Sequence, residues 1–370
     1  MEHDCSHRPG PQSQGAVGTY ATFLTLFSTF PITSAPRFDG PLPTRSRAAS
    51  DLPMTSESPA PDSAETAPAE QPAPACVMSF NASDASGAGG LAGDIATISA
   101  MGAHALPVVT SIVMRDTAEI FDHHAIDADV VVEQARSVLE DVTIAAWKVG
   151  FLGSAEGVSA VAEILSDYPD VPLVAYMPNL SWVEEDEQQA YLEAFRELVL
   201  PQTEVLVGSH QTLTDFLLPE WDSDRPASPR ELAVAAAEHG ARYVLVTSVL
   251  VTSSKTPEQF LDNVLASPQG AITGEKFERF EVAFVGAGDT LSAALAALLG
   301  SGAELQAAVG EALTFLDQSL DAGFRPGMGN VVPDRFFWAL PPGDEDDEGE
   351  PGADDPIDEA AAPKNPRHVH

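Results

Sequence analysis

The run Val285-Gly286-Ala287-Gly288-Asp289-Thr290 decides the fold of this chain. It lies between a predicted short strand, residues 280–284, and a predicted apolar helix, residues 289–299. Glycine lets the backbone turn tightly and approach a ligand closely, so the free N–H groups at the start of the helix can point at a phosphate. The sequence therefore predicts an anion hole made by Gly286, Ala287 and Gly288.

The carboxylate of Asp289 stands in the first turn of this helix. There it can accept the proton of an attacking hydroxyl group while the helix N-terminus stabilises charge on a transferred phosphoryl group. A purely structural interpretation is also open, because Asp is a favoured N-cap residue after a glycine turn. The motif by itself leaves both interpretations standing.

Outward from this run, short apolar runs alternate with amphipathic helical windows between residues 77 and 340. Strands separated by helices of this length pair in parallel through right-handed crossovers, and ligands then bind at the carboxyl ends of the strands. The pattern predicts an α/β protein, a three-layer αβα sandwich with a mainly parallel central sheet. The predicted strands are 76–80, 107–113, 144–149, 171–176, 203–207 and 242–247, and the predicted helices are 89–101, 128–141, 155–166, 184–199, 228–239, 289–299 and 304–322.

Composition divides the chain into three parts. Residues 1–76 include a Pro/Ala/Ser/Glu-rich stretch typical of linkers, and we interpret them as a disordered or mis-assigned N-terminal extension. Residues 77–340 form the predicted folded domain. Residues 341–370 are predicted to be an acidic disordered tail, because acidic residues, Gly, Pro and Ala make up most of it.

The charge of the chain argues against some classes of partner. Its formal net charge is -38, which repels the phosphates that dominate binding to nucleic acids and anionic membranes. The two cysteines, Cys5 and Cys76, support neither a disulfide framework nor a metal cluster. We therefore expect no nucleic acid partner, no membrane partner and a cytoplasmic location.

A second glycine-rich stretch, residues 81–94, follows the first predicted strand and opens the first predicted helix. A topological switch point places a substrate pocket at such a position. A flexible loop of small residues is the alternative. The stretch is not a Walker loop, because no Gly-Lys-Ser/Thr follows it.

The two glycine-rich stretches, in this order, resemble those of the hydroxymethylpyrimidine and phosphomethylpyrimidine kinases of the ribokinase superfamily. The resemblance covers nearly all of residues 77–340. Its matching segments are 83–90 (family GSDxSGGAG), 108–111 (VITA), 148–153 (KIGML), and the carboxy-terminal 327–329 (GxG) with the aromatic residues 336–338.

The resemblance implies a ribokinase-like kinase domain over residues 77–340. It implies transfer of the ATP γ-phosphate, assisted by Mg²⁺, to the hydroxymethyl group of hydroxymethylpyrimidine in thiamin biosynthesis, and it leaves open a second transfer to the phosphate of that product. The expected partner is a small heteroaromatic alcohol, and family members commonly form homodimers. Asp289 is implied as the catalytic base, in a place where many members of the thiamin pathway have Cys.

The resemblance also implies a substrate side and a nucleotide side. No protein residue is assigned as a metal ligand. The substrate-side residues are Asp84, Gly87, Gly89 and Phe151, and the nucleotide-side residues are Ser209, Thr212 and Thr247.

Departures from the family pattern keep two other functions open. Ala92 replaces the glutamine that contacts the aminopyrimidine, which favours a pyridoxal kinase. Ser209 and Thr212 replace the Asn and Glu of the TPNxxE segment, and the DPVM segment aligns near Tyr176. These changes favour a catalytically weakened relative that binds a ligand or a partner.

Lone polar residues also allow two interpretations. Lys148 either approaches a ligand at the end of a strand or is a surface charge. His123 and His124 are predicted to lie in a surface loop, because adjacent histidines point in different directions and no third metal ligand is evident.

Overall fold

The computed structural model of the protein describes residues 73–250 and 260–339. Within these ranges a single sheet of nine strands forms the centre, with the strands in the order β3-β2-β1-β4-β5-β6-β7-β8-β9. The strands are β1 (Cys76–Asp84), β2 (His104–Arg115), β3 (Ile120–Ala125), β4 (Ala146–Val149), β5 (Leu173–Tyr176), β6 (Val205–Ser209), β7 (Tyr243–Leu250), β8 (Phe260–Ser267) and β9 (Gly270–Glu278).

Six neighbouring strands of the sheet pair in parallel, in the order β2-β1-β4-β5-β6-β7. Helices cover both faces of the sheet, and each face has its own cluster of buried apolar side chains. This arrangement confirms the predicted αβα sandwich with a mainly parallel sheet. The helices are α1 (Gly90–Ala100), α2 (Ala128–Leu139), α3 (Ala155–Ser166), α4 (Glu185–Ala194), α5 (His210–Leu217), α6 (Pro229–Glu238), α7 (Ala287–Gly300) and α8 (Leu305–Asp321).

The strand order places the site beside the end of β1. The chain passes from β1 to β2 on one side and later to β4 on the other, so the direction of winding reverses at β1. Ligands in open α/β sheets bind in the crevice that such a reversal leaves at the carboxyl ends of the strands. The last residues of β1, β4 and β5 therefore face a common crevice.

Helix α7 is apolar around its whole circumference, and every residue from Thr290 to Leu298 is buried. A helix of this kind belongs in the interior rather than on a surface. It packs against β1, β4, β5 and β6 and against the neighbouring helices α1 and α8. The protein core thus fixes the position of the glycine turn at the beginning of α7.

Four elements were not predicted from the sequence: β3, β8, β9 and α5. The three strands pair antiparallel at the two ends of the sheet. Their sequences carry many polar residues, since one face of an antiparallel edge strand can meet solvent. The predicted strand at 280–284 is wrong, because only Phe284 forms a bridge, to Val331.

The expected surface loop around His123 and His124 is also wrong, because both residues belong to β3. The His123 ring packs edge-on against Phe151 and Trp182, and its Nε2 lies 3.0 Å from the carbonyl oxygen of Gly153. The predicted N-terminal extension (1–76) and acidic tail (341–370) fall almost entirely outside the described residues. Among the described helices, none has the length and apolar character needed to cross a bilayer.

Candidate active site

Helix α7 begins at the glycine turn for which the sequence predicts an anion hole. Gly286 is the N-cap residue in a left-handed conformation (φ 86°), and no side chain caps the helix. The first backbone hydrogen bond of the helix runs from Thr290 N to Gly286 O (3.0 Å). The N–H groups of the first turn have no partner inside the helix and are available to an anion.

Asp84 organises the glycine-rich turn after β1. Its Oδ1 accepts hydrogen bonds from the backbone N–H (2.8 Å) and the hydroxyl (2.7 Å) of Ser86, and its Oδ2 accepts one from Gly89 N (3.0 Å). Gly87 lies in this turn with φ 71°. Asp84 therefore shapes the predicted substrate side of the site as well as lining it.

The two glycine-rich segments meet directly. Gly90 N donates a hydrogen bond to Asp289 Oδ2 (2.9 Å), and a Cβ atom at Gly89 would lie 2.8 Å from the same oxygen. A Cβ atom at Gly286 would overlap with the carbonyl oxygen of Ala88. The glycines thus allow two backbones to approach more closely than larger residues permit.

Arg335 links the same two segments through hydrogen bonds. It is buried, and its guanidinium donates to Ala88 O (2.7 Å) and to the Thr290 hydroxyl (3.0 Å). Burial lowers the pKa of Arg335 below that of a free arginine, although nearby carboxylates oppose the change. Arg335 was not predicted, since it lies far along the chain from both segments.

Asp289 holds three hydrogen bonds. Asn81 Nδ2 and Lys148 Nζ each lie 2.8 Å from Oδ1, and Gly90 N donates to Oδ2. Burial alone would raise the pKa of Asp289, but the Lys148 charge and these donors lower it below the usual range. The carboxylate is therefore ionised, and Oδ2 keeps capacity for one more donor.

Lys148 is fully buried, so its interpretation as a surface charge is wrong. Its ammonium also pairs with Asp94 Oδ1 at 2.9 Å, and Asp94 accepts hydrogen bonds from Ser79 Oγ (2.7 Å) and Asn81 Nδ2 (2.9 Å). Burial raises the pKa of Asp94, with a further contribution from Asp289, while Lys148 opposes it. One cation thus balances two interior carboxylates, an arrangement that the sequence did not reveal.

Asp289 opens into a cavity of about 530 Å³, here called the Asp289 cavity. It is lined by residues from the ends of β1, β2 and β5, from the loop after β4 and from the segment before α7. The predicted substrate-side residues Asp84, Gly89 and Phe151 all line it, whereas Gly87 does not. The Phe151 ring packs against Trp182, another lining residue, at a centroid distance of 5.2 Å. Such aromatic walls suit a flat heteroaromatic ring.

On the other side of the α7 turn lies a cavity of about 990 Å³, here called the large cavity. Ala287 and Gly288 line it from the turn, and Thr247 and Ser248 line it from β7. Asn263 also lines it and is 3% exposed, and its Nδ2 has no hydrogen-bond partner among the described residues. A buried donor without a partner is costly, and a ligand acceptor that reached this amide from the cavity would remove that cost.

The predicted nucleotide-side residues occupy different places. Thr247 lines the large cavity, and its hydroxyl donates to Gly208 O (3.3 Å). Ser209 caps α5 by accepting from Thr212 N (3.1 Å), and the two hydroxyl oxygens lie 2.8 Å apart. Ser209 and Thr212 therefore bond to each other, and neither lines the large cavity.

No cluster of three or more His, Cys, Asp or Glu residues that could hold a metal ion occurs in the described part of the chain. Kinases usually bind Mg²⁺ through one or two carboxylates together with phosphate oxygens and water. The donor set here gives no cage made of protein ligands.

Comparisons with known proteins agree with this architecture. A family model described as phosphomethylpyrimidine kinase matches residues 84–334. The hydroxymethylpyrimidine/phosphomethylpyrimidine kinase of Haemophilus influenzae is 28% identical over 269 residues, which are 71% of this chain and 97% of that protein. The thiamine biosynthetic bifunctional enzyme TH1 of Arabidopsis thaliana is 28% identical over 251 residues, and the match spans 66% of this chain but only 46% of the plant enzyme.

Among solved structures, an ADP complex of Bacillus subtilis pyridoxal kinase is similar, with a TM-score of 0.63 and 21% identity. The superposition covers 73% of this chain and all of that one. It confirms the predicted ribokinase-like fold. Because the family model matches more than half of the sequence, this chain belongs to the phosphomethylpyrimidine kinase family.

Proposed function

We propose that this protein is an ATP-dependent kinase that phosphorylates the hydroxymethyl group of hydroxymethylpyrimidine, and then the phosphate group of the resulting ester, in thiamine biosynthesis. One observation carries the proposal. The uncapped first turn of α7 lies between two cavities, and it presents the ionised carboxylate of Asp289 to one of them. A phosphate donor in one cavity and a hydroxyl acceptor in the other would meet at this turn.

In the proposed reaction, ATP occupies the large cavity and the pyrimidine alcohol occupies the Asp289 cavity. The hydroxyl oxygen forms a bond to the γ-phosphorus as the bond from that phosphorus to the oxygen of ADP breaks. The hydroxyl proton passes to Asp289 Oδ2, which has capacity for one more donor beside Gly90 N. Magnesium enters as part of the MgATP substrate.

The chain's own groups would stabilise the transferred phosphoryl group. The free amides of the α7 turn provide hydrogen bonds and the positive end of the helix dipole, both of which favour negative charge. Asp289 has a lowered pKa and is therefore a weak base. A weak base suffices for a loose transition state, because the attacking hydroxyl is still poorly bonded to phosphorus when the leaving group departs.

The lining of the Asp289 cavity constrains the identity of the substrate ring less than it constrains the reaction. Phe151, Trp182 and Tyr176 line the Asp289 cavity and would accept any flat heteroaromatic alcohol of suitable size. Pyridoxal is therefore the second candidate substrate, and the absence of a glutamine at Ala92 favours it. The roles of Ser209, Thr212 and Thr247 on the nucleotide side, the homodimer and the cytoplasmic location stay predictions.

The test is turnover of hydroxymethylpyrimidine and of pyridoxal by the purified chain with MgATP, separately and in competition. We expect a higher kcat/KM for the pyrimidine. Asp289→Asn should lower kcat by about two to four orders of magnitude, the usual contribution of a positioned base. Asp167→Asn makes the same chemical change at an exposed position that pairs with Arg136, and should leave kcat unchanged.

Three outcomes would contradict the proposal in different ways. A preference for pyridoxal would replace the substrate while keeping the reaction. Equal turnover by wild type and Asp289→Asn would remove Asp289 from the mechanism. Binding of nucleotide or pyrimidine without turnover would favour a catalytically weakened relative.

A further inference from the structure

Tyr176 is the last residue of β5, and its phenol lies against the first turn of α7. A Cβ atom at Gly288 would overlap with the Cζ and Oη atoms of Tyr176. The tip of the phenol therefore occupies the space in which a side chain at position 288 would begin. Glycine at 288 is what allows a tyrosine hydroxyl to stand beside the free amides of the turn.

The phenol also marks the boundary between the two cavities. Tyr176 lines the Asp289 cavity, whereas Gly288, which it touches, lines the large cavity. A phosphoryl group that moves from a donor in the large cavity to an acceptor beside Asp289 has to pass this contact. The hydroxyl of Tyr176 is thus close to the point at which the two proposed substrates meet.

The hydroxyl of Tyr176 is free to bind a ligand. Among residues 73–250 and 260–339 the hydroxyl has no hydrogen-bond partner, while the ring packs beside the core, touches Gly288 and lies with its centre 5.7 Å from Lys148 Nζ. Burial, with Asp289 and Asp94 nearby, raises the pKa of Tyr176 well above its usual value of 10.0. The phenol is therefore neutral and carries a proton that it can donate.

We propose that the Tyr176 hydroxyl donates a hydrogen bond to a non-bridging oxygen of the γ-phosphoryl group and so acts as a catalytic residue of this chain together with the backbone amides of α7. This inference rests on the proposed kinase function. A neutral donor suits the place, because it stabilises charge on phosphate without adding a counter-ion that would compete with Lys148 for Asp289. No covalent bond to Tyr176 forms or breaks.

The experiment compares two nucleotides that differ by the γ-phosphate. Calorimetry gives the Kd of ADP and of the non-hydrolysable AMP-PCP, each with Mg²⁺, for wild type and Tyr176→Phe. We expect Tyr176→Phe to weaken AMP-PCP binding by about tenfold, the lower end for loss of a hydrogen bond to a charged group, and to leave the Kd of ADP within about twofold. The kcat with hydroxymethylpyrimidine should fall at least as far.

Tyr168→Phe is the matched control. Tyr168 packs edge-on against Trp147 and does not line either cavity, so the same loss of a hydroxyl there should change neither Kd nor kcat. Because Tyr176→Phe keeps the ring that packs against Gly288, both variants should unfold at the wild-type temperature.

Each remaining outcome decides the matter. Unchanged AMP-PCP affinity in Tyr176→Phe, or equal weakening of both nucleotides, would overturn the role of Tyr176. Wild-type protein that binds both nucleotides but does not phosphorylate the pyrimidine would contradict the proposed function, and the ratio of the two Kd values would still test Tyr176. Wild-type protein that binds neither nucleotide would overturn both proposals.

Discussion

The Nζ atom of Lys148 lies 2.8 Å from Oδ1 of Asp289, and the lysine side chain has no exposed surface. The same ammonium pairs with Asp94, which is also fully buried. Lys148 enters from β4, Asp94 from α1 and Asp289 from α7. The ion pairs therefore hold three elements around the proposed reaction centre, and Lys148 is the only cation that touches both carboxylates in the described residues.

Removal of this cation should destabilise the fold. Lys148→Met would leave two carboxylates buried together, and loss of one member of a buried ion pair typically costs about 3–5 kcal/mol. We expect a loss of that size in the free energy of unfolding, measured by urea denaturation at pH 7. Lys276→Met is the control, because Lys276 is mostly exposed and lies 3.9 Å from Asp262. An exposed pair of this kind contributes about 0–1 kcal/mol.

A comparable, small loss in both lysine variants would show that Lys148 does not stabilise the interior. The double variant Asp94→Asn/Lys148→Met gives an additional check. Removal of the Asp94 charge should recover part of the lost stability, because only one unpaired carboxylate then stays buried.

The pH dependence of catalysis should report the same ion pair. Lys148 lowers the pKa of Asp289 in the folded protein. The ionised carboxylate therefore contributes its full stability and activity above the unfolded-state pKa of about 4. Both contributions are lost only as the pH falls through the lower pKa of the folded state. We therefore expect that protonation of Asp289 causes no fall in kcat/KM between roughly pH 4.5 and 7, a range that lies above the unfolded-state pKa. In Lys148→Gln this fall should move upward by about 1–3 pH units, the usual effect of a neighbouring cation on an Asp.

Lys148→Arg keeps the positive charge and should keep the wild-type pH profile, which separates the electrostatic effect from a loss of packing. If Lys148→Gln lowers kcat/KM equally at every pH, the lysine does not control the ionisation of Asp289.

The predictable part of the fold is the part in which strands are buried on both faces. Strand β5 and the first three residues of β6 read as continuous apolar runs, and most of the crossover helices are amphipathic, so both patterns are visible in the sequence. Strands β3, β8 and β9 carry residues such as Asp122 and Lys276, which weaken any alternation. Helix α5 has only eight residues, too few for a periodic pattern to show.

The proposed site could be predicted only where a local motif marks it. The glycine run before α7 and the turn after β1 are each contiguous in sequence, and both were recognised there, although their contact is visible only in the structure. Asn81, Asp94 and Arg335 were missed because their contacts depend on tertiary packing between distant segments. The one available signal was Lys148 itself, a charge inside the apolar run Ala145-Ala146-Trp147-Lys148-Val149, which a buried strand tolerates only when the charge is paired.

The unpartnered amide of Asn263 leads to a prediction about nucleotide affinity. The backbone N–H of Ser248 donates to its Oδ1 (3.2 Å), so Oδ1 is fixed as the acceptor, and Nδ2 is a buried donor without a partner among the described residues in a side chain that lines the large cavity. Asn263→Asp keeps the shape and the acceptor but removes the donor and adds negative charge. In the proposed kinase we expect the Kd of MgATP to rise by about tenfold, measured by calorimetry.

Gln269→Glu is the control for added charge, because Gln269 is exposed in the turn between β8 and β9. It should leave the Kd of MgATP within about twofold, since solvent screens an exposed charge. Equal weakening by both variants would indicate a general charge effect, and no weakening by Asn263→Asp would mean that its amide does not meet the nucleotide.

Two glycines with the same backbone conformation should differ sharply in their tolerance of alanine. Gly286 and Gly302 both have φ 86°, at the beginning of α7 and just after its end. A Cβ atom at Gly302 would meet nothing within 4 Å, whereas one at Gly286 would overlap with the carbonyl oxygen of Ala88 and lie 2.8 Å from Arg335 Nη2. Backbone strain is therefore common to both positions, and the steric clash is present only at Gly286.

Gly302→Ala should lower the free energy of unfolding by about 1–2 kcal/mol, the cost of a left-handed conformation for a residue with a Cβ. Gly286→Ala should lower the free energy of unfolding by about 1–3 kcal/mol more, the usual cost of overpacking. Neither the Ala88 backbone nor the Arg335 guanidinium can move away without breaking the hydrogen bond between them. Urea denaturation of the two variants measures the difference directly. Equal losses would mean that the backbone of the glycine turn after β1 can shift at little cost. The close contact between the two glycine-rich segments would then not be a fixed feature of the site.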